Sequence, residues 1–145
     1  MRTTFPSGLT GQTPKNCYRA DPGAGARDHK LDYQKMELDV SFEPSAGVVN
    51  GTVTHTFKPL RGDVDSFFLD GPGIQFRQVQ LGQKPVPYRV QPDGIWIRPD
   101  RALDPGATYH LQITYSAQPR KGLYFIGWDQ PDTGSRQQIW TQGQG

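Results

Sequence analysis

The stretch "KMELDVSF", Lys35–Phe42, alternates without a break. Met36, Leu38, Val40 and Phe42 fall on one side, while Lys35, Glu37, Asp39 and Ser41 fall on the other. An apolar residue at every second position marks a strand with one face toward a core and the other toward water. The segment therefore predicts a half-buried antiparallel strand. After it, "EPSAGVVNG" (Glu43–Gly51) carries turn residues, and "NGT" at Asn50–Thr52 reads as a hairpin turn feeding the next strand. "TVTHTF" then resumes the alternation, with Val53, His55 and Phe57 on one face and Thr52, Thr54 and Thr56 as β-branched residues on the other. The two segments form a hairpin.

The same pattern runs down the chain. "VDSFFLD" (Val64–Asp70) reads as a strand stopped by Gly71-Pro72-Gly73. "IQFRQVQL" (Ile74–Leu81) changes phase after Phe76, which predicts a bulge or bend. Gly82-Gln83 turns into "KPVPYRV" (Lys84–Val90), whose prolines suit only an edge. Pro92-Asp93-Gly94 is a turn leading into "IWIRP", and Pro105-Gly106 precedes a strand with Tyr109, Leu111, Ile113 and Tyr115 on one face. Finally "GLYFIGW" and "RQQIWTQ" flank the turn-rich "DQPDTGS". No window keeps a helical period. About eight short strands with frequent turns predict an all-β chain, an antiparallel β-sandwich or barrel.

Composition sets the outer bounds. A chain of 145 residues is long enough for one core and no second one. Its 16 Lys+Arg against 14 Asp+Glu leave a net charge of +2 with the signs mixed, so no basic stripe follows a nucleic-acid backbone. Residues 1–28, rich in Gly, Pro, Thr and Asn without periodicity, read as a loosely ordered leader, and residues 29–145 as the β domain. The leader lacks the apolar block of a secretory signal, no stretch is long enough for a membrane span, and the compartment stays open. Cys17, the one cysteine, makes neither an internal disulfide nor a cysteine zinc site.

Several short patterns have plain structural explanations. Arg61-Gly62-Asp63 has the spelling of an adhesion tripeptide and the chemistry of an ordinary loop. Asp63 and Asp65 lack the remaining ligands of a calcium loop. Asp129 and Asp132 sit in a turn. The three histidines, His29, His55 and His110, lie at no metal-binding spacing, and a hydrogen-bonded core histidine explains His55. No nucleophile, base and orienting group assemble, so the residues by themselves predict a non-catalytic domain with no catalytic and no metal residues.

The closing "IWTQGQG" (Ile139–Gly145) sets two amides among glycines after a strand. With "GLYF" at Gly122–Phe125 upstream, it resembles the end of the N-terminal domain of the zinc aminopeptidases, the gluzincin family of aminopeptidase N and leukotriene hydrolase. "YQKMELDVSFEPSAGVVNGTVTHTF" is similar to that family's opening hairpin, "VQLGQKPVPYRV" to its next strand pair, and "LDPGATYHLQITYSA" to its Pro-Gly strand. The resemblance runs from about Leu31 to Gly145.

It implies a saddle-shaped β-sandwich that lies beside a catalytic domain carrying His-Glu-x-x-His and zinc. The implied substrate-binding residues are Gln142 and Gln144, with the backbone at Gly143 and Gly145, receiving the amino end of a peptide. The implied cofactor is zinc in the parent enzyme and none in this stretch, and the implied partners are a peptide substrate and the protein's own C-terminal catalytic domain. Gln144 stands where aminopeptidase N has Glu and leukotriene hydrolase has Gln, and Gly145 replaces the usual Ala. No His-Glu-x-x-His occurs in the sequence. The other reading is a free-standing β-sandwich module that binds a carbohydrate, a peptide or a protein.

Overall fold

The structure is a computed structural model that describes residues 29–129, 134 and 136–143. The leader, residues 1–28, lies outside the described residues, as do Asp132, Gln144 and Gly145.

Among the described residues ten strands follow one another, with one 3-10 turn at Pro44–Ala46. They are β1 (Leu31–Glu43), β2 (Val48–Pro59), β3 (Phe67–Asp70), β4 (Ile74–Leu81), β5 (Lys84–Pro85), β6 (Tyr88–Gln91), β7 (Gly94–Ile97), β8 (Tyr109–Ala117), β9 (Leu123–Ile126) and β10 (Gln138–Thr141). Every pairing is antiparallel. A five-stranded sheet runs β1-β2-β8-β4-β5, a three-stranded sheet runs β3-β7-β6, and β9 with β10 makes a separate hairpin. The fold is an all-β sandwich-like domain.

The core fills the space between the larger sheets. Phe57, Val79, Leu111 and Ile113 come from the five-stranded sheet, and Phe67, Ile95 and Ile97 from the three-stranded one, all buried. The Phe57 ring lies 5.6 Å from Phe67 across the sandwich and stacks 5.8 Å from Tyr109 on its own sheet. Val64 and Leu103 close one end from the connecting loops, joined by the Leu103 N–H donating to the Val64 carbonyl at 2.9 Å. The prolines of "KPVPYRV" fall where their missing N–H groups do no harm. Pro85 is in edge strand β5, and Pro87 sits where the chain crosses to edge strand β6.

Three details differ from the sequence expectations. First, the long strands are not short at all: β1 has 13 residues and β2 has 12. Second, the apolar side of β1 is not half buried. Met36 is 63% exposed, Leu38 54% and Phe42 40%, because the three-stranded sheet does not reach across β1. Third, Asn50-Gly51 is not a turn. The chain reverses at Pro44–Gly47, and Asn50 and Gly51 lie inside β2, opposite Ser41 and Val40. Gly51 is needed there for space, since a Cβ would fall 2.5 Å from Cζ of Tyr115 on the neighbouring strand.

His55 is explained by packing rather than by a hydrogen bond. Its ring meets that of Tyr33 edge-on at 5.6 Å, and it has no hydrogen-bond partner among the described residues. Burial disfavours its charged form and lowers its pKa below 6.5.

Candidate functional site

The candidate site sits at the end of the small hairpin. Leu123, Tyr124, Phe125 and Ile126 pair with Thr141, Trp140, Ile139 and Gln138. The chain enters β9 through Gly122 at a φ of +82°, a left-handed conformation that a side chain resists. One further rung follows the hairpin: the Gln142 N–H donates to the Gly122 carbonyl at 2.8 Å. That bond fixes the backbone of Gln142 as it leaves the strand.

The hairpin is tied to the main body through aromatic contact. Phe125 meets Phe42 of β1 edge-on at 6.3 Å. On the opposite face Tyr124 and Trp140 lie 5.4 Å apart, and the Trp128 indole N–H donates to the Gln138 carbonyl at 3.2 Å. Strand alternation puts Gln142 on the Trp140 side. Sequence reasoning missed this ring pair beside the amide; the two-residue spacing from Trp140 to Gln142 was the available signal.

Gln142 and Gly143 are both exposed. A Cβ at Gly143 would meet nothing within 4 Å, so none of the described residues crowds that position. Gln144 and Gly145 lie outside the described residues.

The charged candidates stay dispersed. Arg61 pairs with Asp63 at 2.8 Å on the surface, and Asp65 accepts a hydrogen bond from Ser66 at 2.9 Å, so both belong to ordinary loop chemistry. His110 shares a hydrogen bond with Thr56 at 3.1 Å on the polar face of the sheet. Among the described residues no three His, Cys, Asp or Glu side chains gather where they could hold a metal, and no helix is long and apolar enough to cross a membrane. The described residues therefore do not fit a zinc ion.

Comparison with known proteins places this arrangement. No protein-family model matches the sequence, and no curated protein does. Solved structures do. An M1 zinc metallopeptidase from Deinococcus radiodurans, in a variant bound to the substrate Tyr-Ser-Ala, matches with a TM-score of 0.57 and 25% identity over 68% of this chain and 22% of that one. Native yeast LTA4 hydrolase matches with a TM-score of 0.58 and 13% identity over 68% of this chain and 16% of that one. Legionella pneumophila aminopeptidase A, in complex with aspartic acid, matches with a TM-score of 0.55 and 16% identity over 68% of this chain and 12% of that one. The chain thus spans 22% or less of the length of these structures. Its β domain is of the kind that forms the N-terminal domain of the zinc aminopeptidase family.

Proposed function

We propose that this β domain anchors substrate for a zinc-dependent aminopeptidase, which removes residues from the amino ends of peptides. The likeness to a metallopeptidase bound to Tyr-Ser-Ala carries the reading. In it, Gln142 and Gln144 receive the amino terminus of the peptide, and the backbone at Gly143 and Gly145 lines the cleft. A protonated α-amine offers three donors and needs oxygen acceptors fixed around it, which carboxamides supply. The hydrogen bond from Gln142 to Gly122 supports such a role, because it holds the backbone while leaving the side chain exposed.

The partner in this reading is the protein's own C-terminal catalytic domain. The hairpin favours it: Tyr124, Ile126 and Trp140, which share the face turned away from Phe42, are 37%, 48% and 49% exposed, an apolar surface of the kind that partners cover. Zinc belongs to that second domain, where it would polarise the peptide carbonyl. The part of this chain is to bind and orient the amino end, and by itself it is not catalytic.

The test compares the 145-residue chain with a longer protein in which it continues into a zinc-binding domain. The longer protein should hold one zinc, cleave aminoacyl anilides and lose activity to a chelator. The 145-residue chain should do none of these. Anilide hydrolysis by the 145-residue chain, or a zinc-replete longer protein that cleaves no peptide, would contradict the proposal.

A further inference from the structure

The two outer faces of the sandwich differ in kind. On the five-stranded sheet one row across the strands reads Glu37, Thr54, Gln112 and Gln80, polar throughout. On the three-stranded sheet a row reads Phe68, Trp96 and Arg89. Phe67, Ile95 and Ile97 turn into the core, so alternation turns Phe68 and Trp96 away from it. Neither ring belongs to the core, and Trp96 is 38% exposed. It sits on the middle strand of its sheet, at a position that faces water and is ordinarily polar. Large apolar groups displayed in this way mark binding surfaces more often than single scattered ones do.

The ring pair borders a hollow. Phe68 lies 5.4 Å from Trp96, with the ring planes at 53°. One row further along the strands stand Asp70, Gly94 and Gln91. Gly94 puts no side chain in the middle of that row. A Cβ there would fall 2.7 Å from Cζ of Phe68, so the glycine lets the Phe68 ring lie across the strand beside Trp96. The resulting cavity is about 530 Å³, a size typical of small-molecule sites. Lys30, Asp70, Gln91 and Asp93 line it together with the two rings. Backbone contacts hold two of these groups in place. The Gly71 N–H donates to the Asp93 carbonyl at 2.9 Å, which ties the turn between β6 and β7 to the end of β3, and Lys30 Nζ donates to the Ser66 carbonyl at 3.3 Å.

The chemistry of the lining selects a ligand class. Lys30 donates, Asp70 and Asp93 accept, and Gln91 does both. A lone anion would meet two carboxylates, and a lone cation would meet the Lys30 ammonium. A neutral ring with hydroxyls around its rim meets neither conflict, because each hydroxyl both donates and accepts. A pyranose also has an apolar C–H face, which covers an indole while the rim keeps its hydrogen bonds.

We infer that this hollow binds a neutral saccharide, with a C–H face of the sugar against Trp96 and its hydroxyls bonded to Asp93, Gln91 and Lys30. The inference stands apart from the peptide-anchoring proposal, since it uses none of the residues at the hairpin end and can fail or succeed without it.

Calorimetric titration of the 145-residue chain tests it with soluble oligosaccharides of glucose, mannose, galactose, xylose and N-acetylglucosamine. At least one should bind at millimolar concentration. Sorbitol, which has the hydroxyls without the ring face, should bind more weakly than that sugar, and so should tetramethylammonium, which has only the charge. Trp96→Ala should weaken sugar binding by about tenfold, and Trp96→Phe, which keeps an aromatic face, should restore most of it. Asp93→Ala and Gln91→Ala, both on the rim, should each weaken it by roughly three- to tenfold, as the loss of single hydrogen bonds does. Raising salt from about 20 mM to about 300 mM should leave the affinity unchanged, because the ligand is neutral. Binding of none of these sugars, or affinities unmoved by Trp96→Ala and Asp93→Ala, would overturn the site. Tighter binding of tetramethylammonium than of any sugar would replace the saccharide with a cation. Self-association of the chain that Trp96→Ala abolishes, without sugar binding, would assign the rings to a second copy and likewise overturn the inference.

Discussion

The two ends of the five-stranded sheet's apolar face share one sequence pattern and meet opposite fates. Around Phe57, Leu111 and Ile113 the face is covered by the three-stranded sheet and fully sealed from water. Along β1, Met36, Leu38 and Phe42 alternate just as regularly and stand largely exposed. Period-two alternation reports which side of a strand is apolar, and says nothing about whether a second layer covers it. Burial depends on how far the partner sheet extends, and here β3, β7 and β6, of four residues each, are too short to span β1.

The sharpest way to break this comparison is to truncate one apolar residue from each region. Phe57→Ala should destabilise the chain by about 3–5 kcal/mol, because it leaves a cavity where Phe67 and Tyr109 meet. Leu38→Ala should change stability by less than about 0.5 kcal/mol, as exposed substitutions do. Urea unfolding measures both. Similar losses for the two would show that β1 is buried in solution.

A smaller effect tests the junction between the regions. Gly51→Ala should cost about 1–3 kcal/mol by forcing a methyl group against the Tyr115 ring. In a Tyr115→Leu background the same substitution should cost less. An equal cost in both backgrounds would point to the backbone rather than to the ring.

The smallest effect is a pH dependence. His55 has its pKa lowered below 6.5 by burial against Tyr33 and its neighbours. The unfolded chain therefore takes up the proton first, and the stability His55 lends is complete above about pH 6.5 and is lost as pH falls through its folded pKa. The thermal midpoint of the wild type should drop across that interval more than that of His55→Phe. Parallel curves would remove His55 from the account.

Much of the fold was legible in the residues. The Gly82-Gln83 and Pro92-Asp93 turns, the edge position of Pro85 and the bulge after Phe76 each follow from local backbone chemistry, and each is where that chemistry puts it. Asn50-Gly51 misled because the signal for a tight turn is the same as the signal for a close approach between strands, and only the position of Tyr115 separates them. Of the candidate site, the strand leading to Gln142 was legible from alternation. Its attachment through Phe42 and Phe125 was not, since the two rings are distant in sequence and meet only once the hairpin folds back.

The central claim is that the hairpin end recognises a peptide's amino group, and kinetics on the longer enzyme test it most directly. The ratio kcat/KM for an aminoacyl anilide should be compared across Gln142→Ala, Gln144→Ala, Gln144→Glu and Gln137→Ala. Losing a hydrogen bond to a charged group costs about 1.5–3 kcal/mol, so the two alanine variants in the tip should fall roughly ten- to a hundred-fold. Gln144→Glu should instead tighten amine binding at neutral pH through an added anionic partner, and Gln137→Ala, one residue before β10, should match wild type. Wild-type values for both Gln142→Ala and Gln144→Ala would contradict the account and leave the segment as nothing more than a strand end.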